Sequence, residues 1–431
     1  MTDSTVTSDT ATPSPTPDRP PASPLVPADR PPASPLYLPD RPPASPLGLY
    51  VHVPFCATRC GYCDFNTYTA GELAVGDAAV ADSPQEQWFG AVAAELAIAA
   101  RALTPTRPVS TVFVGGGTPS LLGGRGLSRL LGLIRDYFQL HPDVEITTES
   151  NPESTSPRFF DEIAAAGFTR VSLGMQSVAP HVLATLDRTH TPGRPAAAAR
   201  EAQAAGIGHV NLDLIYGTPG ETDADLDRSL DAVLEAGVDH VSAYALIVED
   251  GTALARKVRR GDLPAPDDDV LASRYELIDA RLHAAGLSWY EVSNWATDDA
   301  ARCHHNLGYW DSADWWGIGP GAHSHVGGVR WWNRKHPARY AQLLAAGELP
   351  VDGSEQLSDA EMHTERVMLA IRRREGLPTA ELDAAERARA DAIIGSGLLV
   401  RQGDQLVLSD SGRLLADGVV RDLLVARTPP W

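Results

Sequence analysis

A chain of 431 residues is longer than one compact core normally needs and suits a barrel-sized α/β domain with a smaller companion. Its formal charge of -20, from 36 Lys and Arg against 56 Asp and Glu, repels polyphosphate and argues against nucleic acid as a partner. No apolar run approaches the ~20 residues needed to cross a bilayer, and no basic segment leads into an apolar stretch at the N-terminus. A cytoplasmic protein without a transmembrane segment is expected, with any membrane association peripheral and through a partner.

Residues 1–47 repeat themselves: DRPPASPL begins at Asp18, Asp29 and Asp40. Proline fixes φ and removes backbone donors, so this stretch is expected to be a disordered tail. From Gly48 onward, short β-rich runs alternate with Ala-rich helical stretches. Strands are predicted at Leu49–Phe55, Thr111–Gly115, Val144–Ser150, Arg170–Gln176, His209–Ile215, His240–Leu246 and Trp289–Ser293. Helices are predicted between them at Gln85–Leu103, Gly126–Phe138, Arg158–Ala166, Arg194–Ala205, Ala224–Ala236 and Ser273–Ala285.

Such alternation implies an α/β fold with parallel strands and right-handed crossovers, in a barrel or an open doubly wound sheet. Ligands then gather at the carboxyl ends of the strands. The core is expected over residues 48–300, a connecting segment over 301–350 and a second domain over 351–431. In that last region a helical pattern gives way to GLLVRQGDQLVLSDSGRLL, which reads as two short strands about a Gly403-Asp404 turn. A small helical, winged-helix-like domain is expected there, in a packing or partner-binding role given the acidic charge.

Only 4 cysteines occur, and Cys56, Cys60 and Cys63 share one segment, LYVHVPFCATRCGYCDF, directly after the first predicted strand. A disulfide framework would staple distant segments in an oxidising compartment, whereas this clustering points to metal ligation in a reducing one. C-x-x-x-C-x-x-C can bring three thiolates to one face of a [4Fe–4S] cluster, leaving the fourth iron open. Zinc is the alternative, but a structural zinc site wants a fourth Cys or His with its own short spacing, and no second pair lies nearby. His52, on the preceding strand, is expected to point away from the loop.

With its aromatic before the last cysteine, this motif resembles the signature of the radical S-adenosylmethionine (SAM) superfamily. That likeness implies a partial (β/α) barrel in which SAM chelates the open iron and the cluster's electron cleaves it. YVHVPFC, GGGTPS, TESNPES, SLGMQS, LDRTH, NLDLIYGTPGET, YEVSNWA and GIGPGAHS, in that order, resemble the oxygen-independent coproporphyrinogen III oxidase group from Leu49 to about Ser324.

Two branches of that group differ at readable residues. The oxidase branch has a further Cys two positions after the third ligand and a longer folded N-terminal segment; this chain has Phe65 and a Pro-rich tail. HNLGYW, at His305–Trp310, is similar to the H-N-x-x-Y-W motif of the heme chaperone branch. The resemblance therefore implies a protein that binds heme, a [4Fe–4S] cluster and SAM, delivers heme to a heme-requiring target such as a respiratory oxidase, and lacks coproporphyrinogen oxidation. A coproporphyrinogen III dehydrogenase of porphyrin biosynthesis is the alternative, and a radical SAM enzyme with an unrelated substrate a more distant one.

The same resemblance carries SAM contacts onto Tyr50, Tyr62, Gly116, Gly117, Thr118, Glu149, Gln176, Arg188 and Asp213. GGGTP offers backbone N–H groups and close approach, and Glu149 and Asp213, late in their strands, can accept from an amino group or ribose hydroxyls or pair with Arg188. For heme, RCHHNLGYWDSADWWGIGPGAHSHVGG gathers Cys303, His304, His305, His323, His325 and several tryptophans. His305 is the expected heme contact, ahead of His304, which the motif leaves outside. The competing reading is that these residues close the bottom or edge of the barrel by aromatic packing, which fits His323 and His325 better and makes Cys303 a small buried hydrophobe.

Overall fold

The computed structural model describes residues 46–73, 83–103 and 107–425. The Pro-rich repeats lie outside the described residues up to Ser45, and Leu47, at the end of the expected tail, already opens the first strand and is 1% exposed. Twelve strands build one mixed sheet: β1 (Leu47–Val53), β2 (Val109–Gly116), β3 (Leu140–Ser150), β4 (Arg170–Gln176), β5 (His209–Tyr216), β6 (His240–Ala245), β7 (Ser288–Glu291), β8 (Asn294–Ala296), β9 (Asp314–Ile318), β10 (His323–Val326), β11 (Val329–Asn333) and β12 (Val351–Gln356). Their order is β12-β11-β10-β9-β1-β2-β3-β4-β5-β6-β8-β7. From β9 through β1 to β6 neighbours run parallel, while both flanks are antiparallel. The sheet ends at β12 and β7 without closing, so the barrel is partial.

The crossovers are α1 (Pro84–Ala102), α2 (Gly123–Tyr137), α3 (Pro157–Ala166), α4 (Arg194–Ala204), α5 (Asp223–Ala236) and α6 (Asp268–Ala284), each resting against the next in one layer. Their sequences explain them. Helix α2 buries Leu127, Leu130, Leu131 and Ile134, a single stripe at helical spacing. Helix α5 opens with a reciprocal Thr222–Asp225 capping box and stops at Gly237, whose φ of +67° suits glycine.

Strand alternation then sorts the other face. Along β1, Leu49, Val51 and Val53 are fully buried, while Tyr50 and His52 point to the concave side. The register sets Tyr50 beside Phe113, Glu149 beside Ser172, and Asp213 between Gly174 and Ser242. Polar side chains thus collect inside the half-barrel.

Residues 301–350, expected to connect two domains, carry α7 (His304–Trp310) and the strands β9 to β11 of the main sheet. VRWWN alternates in burial and DWWGI ends buried, with Trp316 and Trp331 fully buried edge to face at 4.8 Å. Beyond β12, the helices Asp359–Ala370, Ala384–Gly395 and Ala416–Leu424 surround a three-stranded sheet of Leu377–Pro378, Leu399–Gln402 and Gln405–Leu408. Val367, Ile371, Leu399, Leu406 and Leu423 form its separate core, and the expected turn stands at Gly403, φ +62°. Arg413 fastens this region to the main sheet, its Nη2 2.6 Å from Asp279 Oδ2 and its guanidinium over the Trp289 ring. No helix among the described residues is long and apolar enough to cross a membrane.

Candidate functional site

Past β1 the chain forms a short parallel pair, Phe55–Cys56 with Tyr68–Thr69, which closes the base of the cysteine loop. Three backbone bonds fix it: Tyr68 N to Pro54 O at 2.7 Å, Gly61 N to Leu186 O at 3.1 Å, and Leu254 N to Gly61 O at 2.8 Å. Tyr62 packs from the loop into an apolar cluster with Val182, Leu186, Ile215 and Leu254. His52 does not point away from the loop as expected. Its Nε2 lies 2.8 Å from Asn66 O and its Nδ1 3.0 Å from the Tyr50 hydroxyl, because the loop folds back over the concave face that β1 alternation gives this ring.

Cys56, Cys60 and Cys63 are free, partly exposed thiols. Thr118 Oγ1 stands 3.6 Å from Cys56 Sγ, and Arg188 Nη1 3.5 Å from Cys60 Sγ. Burial pushes the Cys63 thiol up to about 11 and raises that of Cys56, costs that thiolate–iron bonding reverses. Among the described residues no three His, Cys, Asp or Glu side chains converge on a single ion. The donor set fits a cluster, whose thiolates bind separate irons, with Arg188 to offset its negative charge.

The predicted SAM residues border this loop at the carboxyl ends of β1 to β5. In GGGTP the donors are already engaged: Gly116 N bonds Glu149 Oε2 at 3.0 Å, Gly117 N bonds Val53 O at 2.8 Å, and Thr118 N bonds Phe55 O at 2.7 Å. The run therefore ties the loop to β2, and close approach, not free N–H groups, is what it offers a ligand. A Cβ on Gly116 would come within 2.6 Å of the His52 ring, and one on Gly117 within 2.6 Å of Phe55 O.

Opposite lie two carboxylates. Burial, then the neighbouring Asp213, pushes Glu149 up to about 8 despite the Gly116 bond. Asp213 is raised by burial although Ser172 and Asn211 donate to it at 2.8 and 2.7 Å. Gln176 closes β4 in the left-handed region, φ +61°, where the ladder bulges. Its Oε1 and Arg188 Nε both meet His190 Nε2 at 3.1 Å. Seven of the nine predicted positions are thus joined by direct contact to the loop, to each other or to a shared neighbour; Tyr62 belongs to the loop itself, and Asp213 reaches the set through its charge near Glu149.

His305 sits elsewhere, near the amino ends of the strands on α7. Its ring is 3% exposed and stacks on Phe113 at 5.2 Å. Nδ1 bonds Thr111 Oγ1 at 2.8 Å and Nε2 bonds the Tyr309 hydroxyl at 2.9 Å, while burial lowers its pKa to about 4. Both nitrogens of the expected ligand are therefore engaged within the protein. His304 is the exposed one of the pair, because consecutive helical residues point about 100° apart and the motif string does not say which faces inward. Both line a cleft of about 590 Å³ with Leu307, Tyr309, Asp311 and Trp315. His325 is buried against Ala313 O, and Cys303 is buried beside Glu145, as packing residues would be.

Residues 50–233 match the radical SAM superfamily. A heme chaperone, HemW, of Mycobacterium tuberculosis is 65% identical over 88% of this chain and 94% of its own length. The chain belongs to the HemW family. HemW of Escherichia coli is 32% identical over 86% of this chain and 96% of its own. Among solved structures, the coproporphyrinogen III oxidase HemN of Escherichia coli, a radical SAM enzyme, superimposes with a TM-score of 0.76 at 25% identity, covering 89% of this chain and 91% of its own. Where the resemblance gives that oxidase branch a cysteine, this HemW-family chain exposes Phe65, at 59%.

Sequence reasoning missed a buried chain of bonds between the two ends of the sheet. Asn211 joins Asp213 to His240 Nδ1 at 2.7 and 2.8 Å; His240 Nε2 meets the Tyr290 hydroxyl at 2.7 Å, which accepts from Cys303 N at 3.2 Å. No motif announces it; only strand alternation places Asn211 and Asp213 on one face. Glu145, which accepts from the backbone N–H groups of His304 and His305 at 3.0 and 2.9 Å and pairs with buried Arg170, was likewise invisible.

Proposed function

We propose that this chain binds heme and passes it, in the cytoplasm, to a heme-requiring acceptor such as a respiratory oxidase. A [4Fe–4S] cluster is held on Cys56, Cys60 and Cys63, with SAM against it. The observation that carries this reading is the 65% identity to the Mycobacterium tuberculosis heme chaperone over nearly its whole length. Any membrane contact is peripheral and runs through the acceptor.

When bound, the cluster supplies the electron on which SAM chemistry draws. The chain's own residues do the rest. Tyr50, Tyr62, Gly116, Gly117, Thr118, Glu149, Gln176, Arg188 and Asp213 surround SAM: Glu149, ionised by a cationic ligand, accepts from the amino group; Arg188 donates to the carboxylate; Asp213 accepts from ribose hydroxyls. The half-buried carboxylates with raised pKa support this, since a cationic partner would relieve them.

Heme docks in the cleft beside α7. His304 is the imidazole open to the cleft, and His305 forms its wall, reaching iron only by giving up Tyr309 or Thr111. Arg107 and Arg373, paired with the rim carboxylates Asp314 and Asp311, can turn to the heme propionates.

Anaerobic heme titration of the reconstituted chain tests the reading: a saturable Soret change at about one heme per chain is expected, and its absence overturns the chaperone role. The likeness to HemN favours the coproporphyrinogen dehydrogenase alternative. Turnover of coproporphyrinogen above a cluster-free control would establish that alternative; with Phe65 in place of the cysteine, none is expected.

A further inference from the structure

We propose that His190 is a positioning residue for SAM, its Nε2 holding Arg188 beside Gln176 ready for the ligand. The inference rests on the SAM assignment above and adds a residue to it. Three observations converge on this ring. It is 3% exposed, and its Nε2 lies 3.1 Å from Arg188 Nε and 3.1 Å from Gln176 Oε1. Arg188 also spans from the Cys60 sulfur, 3.5 Å from Nη1, to Gly174 O, 3.3 Å from Nη2, so this one side chain links the cysteine loop to β4. Gln176 reaches the same nitrogen from a left-handed backbone, φ +61°, a conformation that surrounding structure must hold in place.

The chemistry of the contact is uneven in a way that suits a ligand. A guanidinium has only donors, so Arg188 Nε–H requires Nε2 to be the bare nitrogen of a neutral ring. That nitrogen has one in-plane lone pair, and the carbonyl oxygen of Gln176 cannot share it. Arg188 needs a bare Nε2 and Gln176 Oε1 a protonated one, so the two contacts compete for opposite states of one nitrogen. A carboxylate arriving at the guanidinium fork, or a hydroxyl arriving at the amide, settles the competition in favour of the bound state. Burial and the adjacent Arg188 both hold the ring neutral.

The ring has little other polar business. Its Nδ1 has no hydrogen-bond partner, and Glu153 Oε1, 3.9 Å away, is occupied by Thr191 N at 2.7 Å. Apolar neighbours such as Met175, Leu183 and Pro195 border, with His190, a cavity of about 410 Å³, so a leucine there has room.

The test is calorimetric titration of SAM into the cluster-loaded full chain, with iron content and melting temperature as controls. His190→Leu is expected to weaken SAM about tenfold, the effect of one lost charge-assisted bond, with iron unchanged. His190→Gln, whose Oε1 can accept near the Nε2 position, recovers most of the affinity, and the shorter His190→Asn does not. Unchanged affinity in His190→Leu overturns the proposal, as does equal loss in the Gln and Asn variants, which also decides the matter if the leucine variant does not fold. Arg188→Ala separates the levels. If it leaves SAM binding intact, the SAM assignment itself fails; if it weakens binding and His190→Leu does not, only the role of His190 fails.

Discussion

At the carboxyl ends of the strands Glu149 accepts one bond, from Gly116 N, and sits half-buried beside a second carboxylate. At the amino ends Glu145 meets Arg170 Nε at 3.2 Å and two backbone N–H groups, and its neighbour His305 has a partner on each ring nitrogen. Both ends are rich in polar side chains, yet only the first sets two carboxylates near each other, each raised by burial. The difference separates the proposed SAM site, which awaits a charged ligand, from the bonded seam around His305 that backs the cleft beside α7. Neighbouring carboxylates mark the first, and the Glu145–Arg170 ion pair the second.

The largest effect that can break this contrast is loss of the cluster. Each of Cys56→Ala, Cys60→Ala and Cys63→Ala should drop iron from about four per chain to near zero after anaerobic reconstitution, while Cys303→Ala, buried at the opposite end, keeps it. Full iron in Cys60→Ala would remove the basis of the upper site.

Next comes the carboxylate. Glu149→Gln should weaken SAM binding about tenfold or more, read by calorimetry. It should also change how stability depends on pH. Glu149 has a folded pKa of about 8 against an ordinary 4.5, so its contribution is fully present below 4.5 and lost as pH rises through 8. The melting temperature of Glu149→Gln relative to the unmodified, ligand-free chain should therefore climb between pH 5.5 and pH 8.5. A constant difference would mean that the carboxylate carries no unbalanced charge.

At the lower end, His304→Ala should shift the Soret band or weaken heme severalfold, with iron content unchanged. His305→Ala should mainly lower the melting temperature. A larger spectral change in His305→Ala would make the buried ring the ligand after all. Smallest is Thr111→Val, which strips one bond from His305 and should cost about 1 kcal/mol, a few degrees in melting temperature, with SAM binding untouched.

Much of the upper end was legible because its chemistry sits in contiguous strings. C-x-x-x-C-x-x-C, GGGTP and LDRTH each fold as one short local segment, so sequence neighbours remain spatial neighbours, and the six crossover units follow from periodicity. The lower end was less legible. Choosing His305 over His304 depends on which of two adjacent residues faces inward, and that is set by Thr111 and Tyr309, 194 and four residues away. The contribution of residues 301–350 to the sheet was hidden in the same way, because burial alternates in VRWWN but not in DWWGI and is set by tertiary packing.

Two separate sites on one sheet are the core of the account, and heme titration of the Cys56→Ala/Cys60→Ala/Cys63→Ala variant tests that most directly. Without its cluster the chain should still bind about one heme, with affinity within about threefold of the reconstituted protein, because the cleft beside α7 shares no residue with the cysteine loop. Loss of saturable Soret binding in that variant would contradict the account and place heme at the cluster.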